Sequence, residues 1–248
     1  MRTIKKVASH IFIDGFGGMT QGLFATLIIG TMIQQIGLLI GSSTGNVIYL
    51  LGKAAAALTS AGIGVGVAVK YGESPLVTVS AAVAAMVGGY AGKITGGTFF
   101  VDGNAVLAGP GEPLGAFIAA FAGITCGHLV SGKTKVDIIV TPVITIGAGS
   151  VVGLLVGPPI SQMMTGLGSI INWATEQRPF IMGIVVSVVM GMVLTLPISS
   201  AALGIILNLS GLAAGAATIG CCCNMVGFAV ASYRETNSAA LSHRALEP

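Results

Sequence analysis

Charge is scarce in this sequence: only 8% of its 248 residues are Asp, Glu, Lys or Arg, where a soluble domain carries about a quarter. A surface facing water needs those groups, so a soluble enzyme is excluded from the start. The four cysteines are Cys126 and the run Cys221, Cys222 and Cys223. They lack the spacing of a secreted disulfide framework. Successive helical residues point about 100° apart, so the three neighbours cannot all face one metal and read instead as small apolar helix residues. Histidine is as sparse, with three residues and no pair at metal-ligand spacing. No phosphate-cradling loop and no Ser-His-Asp arrangement is present. Neither catalysis nor a metal or other cofactor is therefore expected. The net charge is +3, but eleven Lys and Arg over this length make no patch for nucleic acid.

What is abundant is apolar. Hydrophobic residues make up 54% of the chain, with 38 glycines and a mean hydropathy of +0.94. A hydrocarbon layer about 30 Å thick takes about 20 helical residues to cross, and several uncharged runs reach that length. The fold class expected is all-α: a polytopic transmembrane helical bundle with broken helices or re-entrant segments. Residues 1–235 read as one integral membrane domain and 236–248 as a polar C-terminal tail. The basic start (Arg2, Lys5, Lys6) leads into an apolar stretch from Gly15 to Gly52, far longer than the core of a signal peptide. It is read as a retained first span.

Charges and turn residues mark the spans. The first lies within Ile11 to Ile40, and the second runs from Val47 to Val69. A third covers Leu76 to Gly92 and a fourth Leu114 to Val130, with Thr95 to Pro113 irregular between them. A fifth covers Ile138 to Val156 and stops at Pro158-Pro159. Ile160 to Thr175 either crosses at a tilt or lies as a re-entrant or interfacial helix. Phe180 to Tyr233, which holds no charged residue, is long enough for two spans interrupted over Pro197 to Leu209. About seven or eight crossings result. With eight and a cytoplasmic N-terminus, only Lys53 and Lys93 fall outside, in keeping with the excess of Lys and Arg in cytoplasmic loops. A multi-pass protein of the cell inner (plasma) membrane is expected.

Glycines recur four apart at Gly18 and Gly22, at Gly37, Gly41 and Gly45, at Gly88, Gly92 and Gly96, at Gly149, Gly153 and Gly157, and at Gly211 and Gly215. On a helix such residues share a face and let two backbones approach closely. A tightly packed bundle is predicted. Glycine, proline and polar clusters break the apolar runs at Gly96 to Asn104, Gly109 to Pro113 and Leu196 to Ser200. Irregular backbone survives at membrane depth only when buried in protein or lining a wet cavity, and broken helices recur at transporter binding sites. An external loop is the other account of Thr95 to Pro113.

The polar residues within this apolar chain are the candidate solute-binding residues. Asp102, Asn104 and Glu112 fall close together in the irregular stretch and offer two carboxylates and an amide to sugar hydroxyls or a cation. Pro113 biases Glu112 away from helical geometry. Asp14, a turn into the first apolar run, is either functional or a helix cap near the headgroups. Gln21 lies further along the same run. Asn208 and Asn224 need partners in the C-terminal stretch, either a solute or another helix. His128 is an interfacial, hydrogen-bonded histidine or a proton relay. Trp173, with Glu176 and Arg178, reads as an interfacial anchor.

The runs Asp14 to Phe24 (DGFGGMTQGLF), Gly109 to Leu114 (GPGEPL) and Ala231 to Glu235 (ASYRE) resemble a membrane family of phosphotransferase-system EIIC-like proteins that includes the perfringolysin O regulatory type. The resemblance extends to about Glu235. It implies a permease-like subunit, a homodimer, that binds a small polar solute such as a sugar and moves it by rearranging helices around a midplane site. It also implies soluble phosphotransferase subunits as partners, because the phosphorylated Cys or His domains are missing from this chain. In EIIC proteins a Glu-Pro dipeptide in a membrane loop contributes to sugar binding, and Glu112-Pro113 is the counterpart here. Members of the family continue beyond the Tyr-Arg-Glu motif, so residues 236–248 read as a natural end, a truncation or partly an expression scar. Two other functions remain open on the same residues: a membrane regulator or sensor that does not transport, and an ion-coupled secondary transporter using Asp14 or Glu112.

Overall fold

The computed structural model describes residues 14–101, 104–107, 109–193, 209 and 211–244. The chain divides into two compact units, Met1–Gly166 and Leu167–Pro248.

In the first unit, helix α1 (Phe16–Leu23), a π-turn (Phe24–Ile28) and helix α2 (Ile29–Ile40) form one rod. Its 25 residues, Phe16–Ile40, are long and apolar enough to cross a membrane. Gly41 ends it with φ of +61°, a conformation open to glycine at little cost. Ser42 then caps α3 (Ser43–Ala57) by accepting from the Gly45 N–H at 3.3 Å. Helix α4 (Thr59–Lys70) follows after a 52° bend. The pair α3 and α4 returns along the first rod because glycines face glycines. A Cβ added to Gly37 would meet the Gly45 carbonyl oxygen at 2.7 Å, and one on Gly30 would meet that of Gly52 at 2.9 Å. Gly22 abuts the Gly62 backbone, and a Cβ on Gly18 would lie 2.6 Å from the Gly66 oxygen. Between Gly52 and Gly62 the returning chain covers ten residues while the outgoing rod covers eight, and the bend at Leu58 falls in that stretch.

Helix α5 (Pro75–Gly89) starts with Ser74 as cap and proline in its first turn, where the missing N–H costs nothing. It breaks at Tyr90 into the five-residue α6 (Ala91–Thr95). A minimal hairpin follows, β1 (Phe100–Val101) against β2 (Asn104–Ala105), with Phe100 opposite Ala105 and Val101 opposite Asn104. Helix α7 (Pro113–Val130) packs on α4 and α5. Gly88 of α5 meets Gly115 and Ala119 of α7, and Gly123 of α7 meets the Thr145 carbonyl of the next helix. Among the described residues the fold is all-α apart from that hairpin.

Helix α8 (Asp137–Gln177) carries three prolines, Pro142, Pro158 and Pro159. The expected stop at Pro158-Pro159 is therefore not observed: the fifth span and Ile160 to Thr175 are one helix. Each proline deletes one intrahelical bond and crowds the preceding turn. Close packing next to the pair opposes that disruption, since a Cβ on Gly157 would sit 2.6 Å from the Ala91 Cβ and one on Gly153 would sit 2.8 Å from the Gly88 Cα. Asp137 supports the helix start by accepting from the Gly132 N–H at 3.0 Å and the Thr141 hydroxyl at 2.6 Å.

In the second unit, α9 (Pro179–Val193) packs against α10 (Gly211–Arg244) around Val186, Met190 and Ala217. The expected tail from 236 onward continues this helix as far as Arg244. Asn224 donates to the Gly191 carbonyl at 2.7 Å, which satisfies its amide between helices. Asn224→Leu should therefore cost about 1 kcal/mol, read as a lower thermal midpoint in detergent. Thr218→Val should leave the midpoint in place, because that hydroxyl bonds only its own helix at Ala214.

Among the described residues, four helices are long and apolar enough to cross a membrane, or five if the bent pair α3 and α4 is one span, and Pro75–Gly89 and Pro179–Met192 are shorter apolar helices. Three of the glycine sets do not form the faces expected of them. Gly41 terminates α2, so Gly37 and Gly45 meet across a hairpin rather than along one helix. The break at Tyr90 separates Gly88 from Gly92, which faces Ser161, and Gly96 ends α6. Gly211 and Gly215 have nothing within 4 Å of an added Cβ.

Candidate functional site

Three interruptions of the helices in the first unit meet at one place. The first is the bend between α3 and α4 at Leu58. The second is the break between α5 and α6 at Tyr90. The third is the segment Gly109 to Glu112 that leads into α7.

Glu112 occupies the cap position of α7, where four N–H groups lack an intrahelical partner. One carboxylate oxygen accepts from the Leu114 N–H at 3.2 Å, and the other accepts from the Gly115 N–H. Its own N–H donates to the Gly89 carbonyl at 2.7 Å, which ties the segment to the end of α5. The residue stands one position ahead of the span that begins at Pro113. Burial pushes its carboxyl above the usual carboxylate range, while the two backbone N–H groups pull in the opposite direction. An ionised carboxylate has about four acceptor positions, and these N–H groups use about two of them.

The same segment bonds to the other two breaks. Ser60, buried at the start of α4, donates to the Pro110 carbonyl at 3.0 Å. The Tyr90 hydroxyl donates toward the Ala57 carbonyl at 3.1 Å and toward that of Gly109. The Tyr90 ring is fully buried, with Phe99 at 5.5 Å and the Lys93 ammonium 5.3 Å above its face. Gly111 has φ of +75°, and a Cβ there would meet the Ser60 hydroxyl and lie 3.1 Å from the Gly89 oxygen.

The other residues expected at a site are spread more widely. Asn104 is exposed on β2. Asp102 and Asn208 lie outside the described residues. Asp14 is half-buried just ahead of α1, close enough to Tyr71 that its carboxylate, second to burial, pushes the Tyr71 hydroxyl up. Phe16 stacks on Phe117 at 4.9 Å, and Phe117 lies five residues beyond Glu112. Gln21 is exposed on α1. Asn224 belongs to the second unit, bonded as described. His128 is exposed at the end of α7, with Nδ1 2.9 Å from a carboxylate oxygen of Glu73, whose side chain is only 8% exposed. Trp173 is 64% exposed on α8.

Sequence reasoning missed Tyr90 and Ser60. The available signal was a lone large aromatic within Gly88-Gly89-Tyr90-Ala91-Gly92: a bulky residue among the smallest ones marks where the helix opens around it.

A helical bundle with membrane-spanning segments and several interrupted helices defines a multi-pass membrane protein. A family model described as phosphotransferase system, EIIC matches residues 13–246, and the chain belongs to that family. It is thus a membrane component of sugar transport, and EIIC domains are transporter components rather than typical catalytic enzymes. No curated protein and no solved structure matches the chain.

Proposed function

We propose that this chain binds a small polar solute, a sugar, at the Glu112 segment, and translocates it by rearranging the helices that meet there. The observation that carries this reading is a carboxylate held on a helix N-terminus where three helix interruptions converge. The N–H groups of Leu114 and Gly115 orient the carboxylate and leave acceptor positions for sugar hydroxyls. Asp102, Asn104, Asp14, Gln21, Asn208 and Asn224 are the further candidates that the sequence offers. Solute binding energy can shift the balance between two arrangements only if the solute contacts differ between them, and in this reading they differ because the segment moves relative to α4 and α5. In this reading the chain works as a homodimer in the plasma membrane, with soluble phosphotransferase subunits that supply the phosphoryl group.

The test is a ligand-induced thermal shift of purified protein with glucose, cellobiose, mannitol, gluconate and Na⁺, since binding to the folded state alone raises apparent stability. One of the sugars or mannitol should raise the midpoint. Glu112→Gln should weaken that binding about ten- to hundredfold, the range for a hydrogen bond to a charged group, while the variant stays folded. Unchanged affinity in a folded variant would sink the site assignment. A shift with Na⁺ alone would favour ion coupling, one with gluconate alone would favour a carboxylate solute over a sugar, and binding without uptake in vesicles would favour a regulator.

A further inference from the structure

We infer that Tyr90 is a positioning residue for solute binding, its hydroxyl pinning the segment that carries Glu112 to the bend between α3 and α4. The inference rests on the site assignment above and adds a residue that does not itself contact the solute. Glu112 uses its side chain on its own helix, at the N–H groups of Leu114 and Gly115. That capping sets the carboxylate relative to α7 alone. Its place relative to α3, α4 and α5 depends on bonds from other residues: the Glu112 N–H to Gly89, Ser60 to Pro110, and Tyr90 to Ala57 and Gly109.

Tyr90 differs from the other two ties because it reaches both remaining breaks at once. Ala57 is the last residue of α3 and Gly109 opens the segment, and the one phenolic hydroxyl reaches both carbonyls. The ring cannot swing away, since it is fully buried with Phe99 and Lys93 beside it. Each carbonyl loses its shared donor if the hydroxyl is removed, and the segment loses its tie to the end of α3. The segment would then drift from the bend while the Glu112 side chain stayed on its helix.

Tyr90→Phe keeps the ring and removes only the hydroxyl. Bound to whichever of glucose, cellobiose and mannitol stabilises the wild type, it should show affinity roughly three- to tenfold weaker, the range one neutral hydrogen bond spans. The deciding readout is coupling. In the Glu112→Gln background, Tyr90→Phe should cause almost no further loss, because the pin acts only through the carboxylate it positions. Hydrogen exchange at the Glu112 amide should also speed up in Tyr90→Phe. Should Tyr90→Phe fail to fold, Ser60→Ala takes its place, removing only the bond to Pro110, with the same expected pattern. Thr145→Val, which deletes a buried hydroxyl bonded within its own helix, should change stability without changing affinity.

Additive losses in the double variant, or unchanged affinity and exchange in Tyr90→Phe, would overturn the inference and leave the site assignment standing. Unchanged affinity in Glu112→Gln would overturn the site assignment, and binding of no probe at all would bring down both.

Discussion

Gly22→Ala should leave little folded protein, as the yield of monodisperse material after solubilisation and its thermal midpoint will show. At Gly22 the neighbour is backbone on a second helix: an added Cβ would abut the Gly62 carbonyl and lie 2.7 Å from the Ile63 nitrogen. Backbone cannot rotate aside as a side chain can, so the two helices must separate. Overpacking a well-fitted site costs about 1–3 kcal/mol. Here separation also opens the Gly18 and Gly66 contact one turn away, so the upper end of that range applies. Gly147→Ala is the matched control. It sits in α8 with nothing within 4 Å of an added Cβ, and a helical glycine replaced there should gain about 0.5–1 kcal/mol. Equal midpoints for the two variants would show that the first rod and the α3–α4 pair do not pack backbone to backbone.

Gly111→Ala should abolish solute binding more completely than Glu112→Gln, with affinity lower by at least about a hundredfold. Two penalties combine at this position. The backbone has φ of +75°, where an L side chain costs about 1–2 kcal/mol. The new methyl would also meet the Ser60 hydroxyl and crowd the Gly89 oxygen, so the segment must lift from both of its anchors. Gly109→Ala separates these effects, because it has φ of +80° but open space around an added Cβ. It should carry the strain alone and lose stability with a much smaller loss of affinity. Titration with the same sugar probes would measure both variants. Equal behaviour would mean that contact with Ser60 and Gly89 is irrelevant to the site.

The parts of the fold that were legible were those set by composition and local rules. The fourth span was expected over Leu114 to Val130 and is observed as Pro113–Val130, because Glu-Pro opens a helix and the polar turn at Ser131-Gly132 closes it. The first was expected within Ile11 to Ile40, and Phe16–Ile40 is found. The Pro158-Pro159 stop was misjudged because the proline rule describes an isolated helix, whereas Gly153 and Gly157 seat this one against α5 and α6. The second span was expected to be unbroken, and no residue at Leu58 announces its bend. Glycines at Gly18 and Gly22 were expected to share a packing face and do, but their partners at Gly66 and Gly62 could not be inferred from a four-residue spacing. Which backbones lie opposite each other is a long-range property.

At the site, Glu112 stood out as a carboxylate before proline in an irregular stretch, whereas Ser60 and Tyr90 did not. A serine or tyrosine hydroxyl has no sequence signature for bonding a carbonyl 50 or 19 residues away. The sequence by itself determined that this protein lives in a membrane, that it is helical, and that its backbone is broken near Glu112. Those properties follow from hydropathy, glycine content and proline, each of which acts locally. Only the tertiary structure decided that three breaks coincide and that Tyr90 joins two of them, because the unpaired carbonyls of one helix are satisfied by residues the chain brings back from elsewhere.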